Sequence, residues 1–91
     1  MDKRLNNEQA RELLGMRVTK IRKDRHLSQG KLSAMAGLDR TYILDIEKGR
    51  RNVSVAALAR IAWSFGISLA YLLEALDDVD SLPESPSDLN P

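Results

Sequence analysis

Arg40 and Thr41 stand side by side, directly before a run whose apolar residues Ile43 and Ile46 lie three apart. Arginine offers a planar fork of donors matching guanine O6 and N7, and threonine offers a methyl for thymine or a hydroxyl for a base or phosphate. Further on, Arg50, Arg51 and Asn52 form a short basic loop, and such loops reach a phosphate backbone easily. Gln29 follows Ser28 at an expected helix start. Its side chain either caps that helix or joins the backbone N–H groups there in holding an anion. All this is donor chemistry aimed at a polyanion, not reaction chemistry. Cysteine is absent and His26 is the sole histidine, so no disulfide, thiolate site, histidine metal cluster or catalytic triad can be assembled. Asp77, Asp78 and Asp80 lack the glycine and terminal glutamate of a calcium loop. No enzyme, metal or cofactor is expected.

Those donors need rigid elements, and the apolar spacing supplies five helices and no strand. Asn6 or Asn7 can cap the first, with Gln9 three residues after Asn6. Leu14, Val18 and Ile21 share one face of it. Arg11, Arg17, Lys20, Arg22, Lys23 and Arg25 occupy the other faces, and the helix should end near His26. Ser28 caps a second helix with Leu32 and Ala36 inward, closed by Gly37 and plugged by Leu38. Asp39 caps a third, which Gly49 stops. Ser54 opens a fourth bearing Val55, Leu58, Ile61, Ala62 and Phe65, closed by Gly66. Ser68 opens a fifth carrying Leu69, Leu72, Leu73 and Leu76. Residues 1–76 thus read as one all-α domain. The final stretch 77–91, DDVDSLPESPSDLNP, has three prolines and no basic residue and reads as a disordered acidic tail.

Residues 28–47 have the spacing of two helices joined by a tight turn, an economical way to present one helix to a DNA groove. Small Ser33 lets the helices approach, and Gly37 permits a turn that a Cβ would strain. Arg40, Thr41, Leu44, Asp45 and Lys48 are then left facing outward. Tyr42 packs on sugar, donates to phosphate or serves as a half-buried structural residue. Leu44 meets a thymine methyl or joins the core. Asp45 accepts from cytosine N4 or, the preferred reading, screens nearby arginines.

The segment SQGKLSAMAGLDRTYILDIEKGRRNVS resembles the Cro-type phage-repressor helix-turn-helix family, often called XRE. The likeness extends from about residue 13 to 73. DRTYI followed by IE and GRRN is especially similar to controller proteins of restriction–modification systems. The resemblance implies a five-helix Cro/repressor-like domain and a sequence-specific transcriptional regulator. It implies a phosphate contact for Gln29, a base contact for Arg51, and a partly buried ion pair between Arg22 and Glu47. Two departures stand out: Gly30 replaces the acidic residue common after the glutamine, and Leu44 with Asp45 has no base preference to carry over. Several toxin–antitoxin pairs use the same fold, so an antitoxin binding DNA and a toxin is the alternative.

Charge is divided along the chain. Residues 1–60 hold all fourteen Lys and Arg against seven Asp and Glu, while residues 61–91 hold none against six acids. The first part attracts a polyanion and the last repels one. The less basic half also carries Trp63, Ile67, Leu69, Tyr71 and Leu72, more apolar side chains than a monomer core requires. A homodimer through these residues is expected, since one helix reads only about four or five base pairs and two helices about 34 Å apart read successive major grooves. Its target is double-stranded operator DNA with (pseudo)palindromic symmetry. Activation would add a contact with RNA polymerase, and no small-molecule ligand is expected. The start MDKRLNNEQ lacks the apolar middle of a signal peptide, and no apolar run approaches membrane-spanning length. The expected location is the cytoplasm.

Overall fold

The computed structural model describes residues 5–77. Five α-helices follow in order: α1 (Asn7–Asp24), α2 (Gln29–Ala36), α3 (Arg40–Glu47), α4 (Val55–Phe65) and α5 (Leu69–Leu73). A 3-10 turn, Glu74–Asp77, closes the series. No strand occurs among the described residues. Beyond Asp77, the acidic tail expected at 77–91 lies outside them.

Polar side chains start the helices where the sequence places them. Asn6 Oδ1 accepts from the Gln9 backbone N–H at 2.7 Å, and Gln9 Oε1 accepts from the Asn6 N–H at 3.1 Å, a reciprocal box. Ser28, Ser54 and Ser68 each accept from the N–H three residues on, at 2.9, 3.1 and 3.0 Å. Each bond satisfies one orphan donor and contributes about 1 kcal/mol. Asp39 differs: it stands at the cap position of α3, but its carboxylate makes no capping bond.

The helix ends show one departure from glycine usage. Gly37 closes α2 at φ +67, and the Leu38 N–H returns to the Ser33 carbonyl at 3.0 Å. This left-handed step turns the chain directly into α3. The end of α1 makes the same closure with His26 at φ +56, where the Leu27 N–H reaches the Arg22 carbonyl at 3.1 Å. α5 is shorter than its leucine spacing suggests. Glu74 and Asp77 follow it with no basic residue in its last turn, an unfavourable match to the negative end of a helix, and the backbone tightens to 3-10 from Glu74.

The core joins Leu14, Val18 and Ile21 of α1 to Leu32 and Ala36 of α2, Ile43 and Ile46 of α3, Leu58, Ile61, Ala62 and Phe65 of α4, and Leu72 of α5. Complete burial of a leucine or isoleucine such as Leu32, Ile43 or Ile46 stabilises the fold by about 1.5–3 kcal/mol each. α3 is therefore gripped along the edge that carries Ile43 and Ile46, chiefly by α1 and α2.

The grip on α1 is unusually close. A Cβ built on Gly15 would lie 2.5 Å from the Ile46 carbonyl oxygen and 2.7 Å from that of Glu47. No side chain fits there, so the middle of α1 seats directly against the end of α3. Leu13 and Gly15 are both buried, and neither stood out from the periodicity.

Candidate nucleic-acid interface

The edge of α3 opposite the core is the candidate reading surface. Arg40 and Thr41 open α3 and are exposed. Arg40, Lys48 and Arg50 are exposed, and their side chains have no partner among the described residues. The uncapped start of α3 adds orphan backbone N–H groups to this cationic edge, a combination that favours phosphate or base acceptors.

The other expected contacts are more committed. Gln29 opens α2, half-buried, and its Nε2 donates to Glu47 Oε1 at 3.1 Å. One amide hydrogen is thus spent within the protein, and the other is uncommitted among the described residues. Asn52 is exposed, and its Oδ1 accepts from Arg11 Nη1 at 3.0 Å, which leaves both amide hydrogens uncommitted among the described residues. Arg11 Nε also donates to the Gly49 carbonyl at 3.3 Å, so this arginine of α1 anchors the loop after α3. Nothing in the spacing signalled that role.

Tyr42 is half-buried, and its hydroxyl accepts from the Ser54 N–H at 3.4 Å. Arg51 lies over its ring with the guanidinium carbon 4.6 Å from the centroid. The same guanidinium donates through Nη2 to Asp45 Oδ2 at 3.2 Å. Asp45 therefore engages an arginine, the preferred of its two readings. Leu44 is half-buried.

Behind α3, Arg22 and Glu47 hold the scaffold. Arg22 Nε donates to Glu47 Oε2 at 2.6 Å and Nη2 to Oε1 at 3.0 Å, a bidentate pair. Arg22 Nη1 also donates to the Leu27 carbonyl at 2.8 Å. With Gln29, these bonds tie α1, α2, α3 and the first loop together. Burial pushes the Glu47 carboxyl up, but hydrogen bonds from Arg22, Gln29 and Thr19 and the Arg22 charge outweigh it, holding the group below its ordinary value. The hydrogen bond to Glu47 raises Arg22 further, against the opposing effect of burial.

On α4, α5 and the loop between them, Trp63 is 76% exposed and Tyr71 is 49% exposed, while Ile67 and Leu69 are half-buried. Leu72, expected at an interface between copies, is fully buried. It fills the core of its own chain, because α5 turns that position inward, and it is withdrawn from the interface. No single described helix is long and apolar enough to cross a membrane.

A family model described as helix-turn-helix matches residues 18–72, the span holding this edge and its scaffold. The chain belongs to the helix-turn-helix family. Its members are transcription regulators. Among relatives of this helix-turn-helix protein is control protein C.MunI of a Mycoplasma species, 41% identical over 64 residues covering 69% of this chain and 86% of that one. The crystal structure of the restriction-modification controller protein C.AhdI from Aeromonas hydrophila superposes with a TM-score of 0.67 at 34% identity, covering 68% of this chain and 94% of that one. The structure of the biofilm regulator SinR in complex with DNA gives 0.64 at 27% identity, covering 67% and 98%. The chain spans 42% of the length of the immunity repressor of Bacillus phage phi105, which it also matches at 38% identity. These findings agree with the all-α, five-helix repressor-like fold expected from the sequence.

Proposed function

We propose that this DNA-binding regulator works as a homodimer on a two-fold symmetric operator in the cytoplasm, as a controller protein of a restriction–modification system. α3 enters the major groove, with Arg40 and Thr41 on base edges and Arg51 on a second base. Gln29, Arg50 and Asn52 hold phosphates, while Tyr42 and Leu44 line the groove wall. The observation carrying this reading is the exposed pair Arg40–Thr41, without side-chain partners among the described residues, at the start of a helix whose other edge buries Ile43 and Ile46. Likeness to C.MunI and C.AhdI supports the controller assignment. Trp63, Ile67, Leu69 and Tyr71 form the pairing face. A dimer joined there leaves other faces free for RNA polymerase.

Selection of binding sites from a randomised duplex pool tests the reading. The expected product is a (pseudo)palindrome with half-sites one helical turn apart, about 34 Å. On that site, Arg40→Ala should weaken binding by about 1–3 kcal/mol and relax the base preference at one position per half-site. Selection returning no common sequence, or an Arg40→Ala variant that discriminates like the parent, would overturn the assignment.

A further inference from the structure

On the outer edge of α3, one cation is held rather than free. Arg51 follows the loop that closes α3, where the Arg50 N–H returns to the Asp45 carbonyl at 2.9 Å. That return folds the next residue back along the helix it has just left. The Arg51 guanidinium meets the Tyr42 ring at 4.6 Å and the Asp45 carboxylate at 3.2 Å. Tyr42 and Asp45 are three residues apart, on one face of α3. Tyr42 is itself tied to the start of α4 through the Ser54 N–H. The guanidinium is thus clasped between a ring and a carboxylate, both on the reading helix. Arg40, Lys48 and Arg50 have no such clasp among the described residues.

The clasp changes what Arg51 can do. Arginine carries five N–H donors in a planar fork, and the single bond to Asp45 leaves the rest available. Stacking on Tyr42 fixes the plane of the fork before DNA arrives, which lowers the ordering cost of a directed contact. The Asp45 charge, meanwhile, offsets the attraction of Arg51 for any nearby phosphate. A free arginine grips phosphates on every sequence, whereas a clasped and partly neutralised one favours a directed acceptor.

We infer that Asp45 is a positioning residue that makes Arg51 a selective reader instead of a general phosphate grip, and so sets the ratio of operator to non-specific binding. The inference rests on the proposed reading of α3 as the groove helix.

A double-mutant cycle with Asp45→Asn and Arg51→Ala tests it, using the duplex selected by the parent chain and a scrambled duplex of equal length. Asp45→Asn keeps the shape and removes the charge. It should tighten binding to the scrambled duplex and lower the operator-to-scrambled ratio about threefold to fivefold, the scale of a partly exposed ion pair. The released Arg51 should also add about one unit to the slope of log affinity against log salt on the scrambled duplex. In the Arg51→Ala background, Asp45→Asn should change neither quantity. An equal effect in both backgrounds would show that Asp45 acts as a bare charge and overturn the inference. An unchanged ratio and slope in Asp45→Asn would overturn it as well. Failure of the parent to select any sequence would instead defeat the groove-helix reading on which it rests. Thermal unfolding of each variant separates these outcomes from loss of fold.

Discussion

Two arginine–carboxylate pairs flank α3, and they do opposite work. Arg22 and Glu47 lie behind the helix with side chains only 12% and 5% exposed. Arg51 and Asp45 lie in front of it at 48% and 22%. Both join an arginine to an acid of the same eight-residue helix. The rear pair is bidentate, accepts a further bond from Gln29, and bridges elements far apart in sequence. The front pair is a single bond between neighbours six residues apart. Burial, not pairing, separates the architectural pair from the one proposed for recognition: a desolvated charge cannot be left alone, whereas a wet one can change partners.

The largest expected effect comes from breaking the rear pair. Glu47→Ala leaves the Arg22 guanidinium without its carboxylate and frees Gln29, and it should destabilise the fold by about 3 kcal/mol or more in denaturant unfolding. An unchanged midpoint would mean that the rear pair is ornamental and that the contrast with the front pair is false.

Acid offers a milder break at the same place. Glu47 is held below its ordinary value of 4.5 in the folded chain. Its stabilisation is therefore complete above that value and drains away as pH falls through the lower folded one, because the unfolded chain takes up the proton first. Glu47→Gln should flatten the acid limb of a stability-against-pH profile. A profile of undiminished steepness would place the acid sensitivity elsewhere.

Smallest is the stability effect at the front pair. Arg51→Ala should shift unfolding by less than about 1 kcal/mol, as exposed pairs do. Its operator affinity should nevertheless fall by about 1–3 kcal/mol. A large loss of stability with little loss of binding would reverse the roles assigned to the two pairs.

The helices were legible because their signals are local. Apolar spacing placed Val18, Ile21, Leu32, Ile43, Ile46 and Ile61 in the core, and serine caps marked three of the helix starts. Less local features escaped. Arg11 stood among the basic residues of α1 with nothing to distinguish it, because a bond to a loop some forty residues away leaves no trace in spacing. Leu72 looked surplus to one core, since counting apolar residues does not say which way a short helix turns. Gly15 did leave a sign: a glycine inside a helix costs about 1 kcal/mol relative to alanine and calls for a packing reason. At the candidate site, residue types suggested the donors and a screening role for Asp45, but not that Gln29 and Asn52 each hold a partner within the protein.

The contact at Gly15 bears on how such a regulator acquires new targets. Main chain lies against main chain there, so the bearing of the third helix owes little to the letters on its far side. On the proposed reading edge, exposed positions 40 and 41 can drift, and the seat will carry their replacements to the same depth and angle. A changed vocabulary then requires only a few codon changes, with no compensating repair inside the domain.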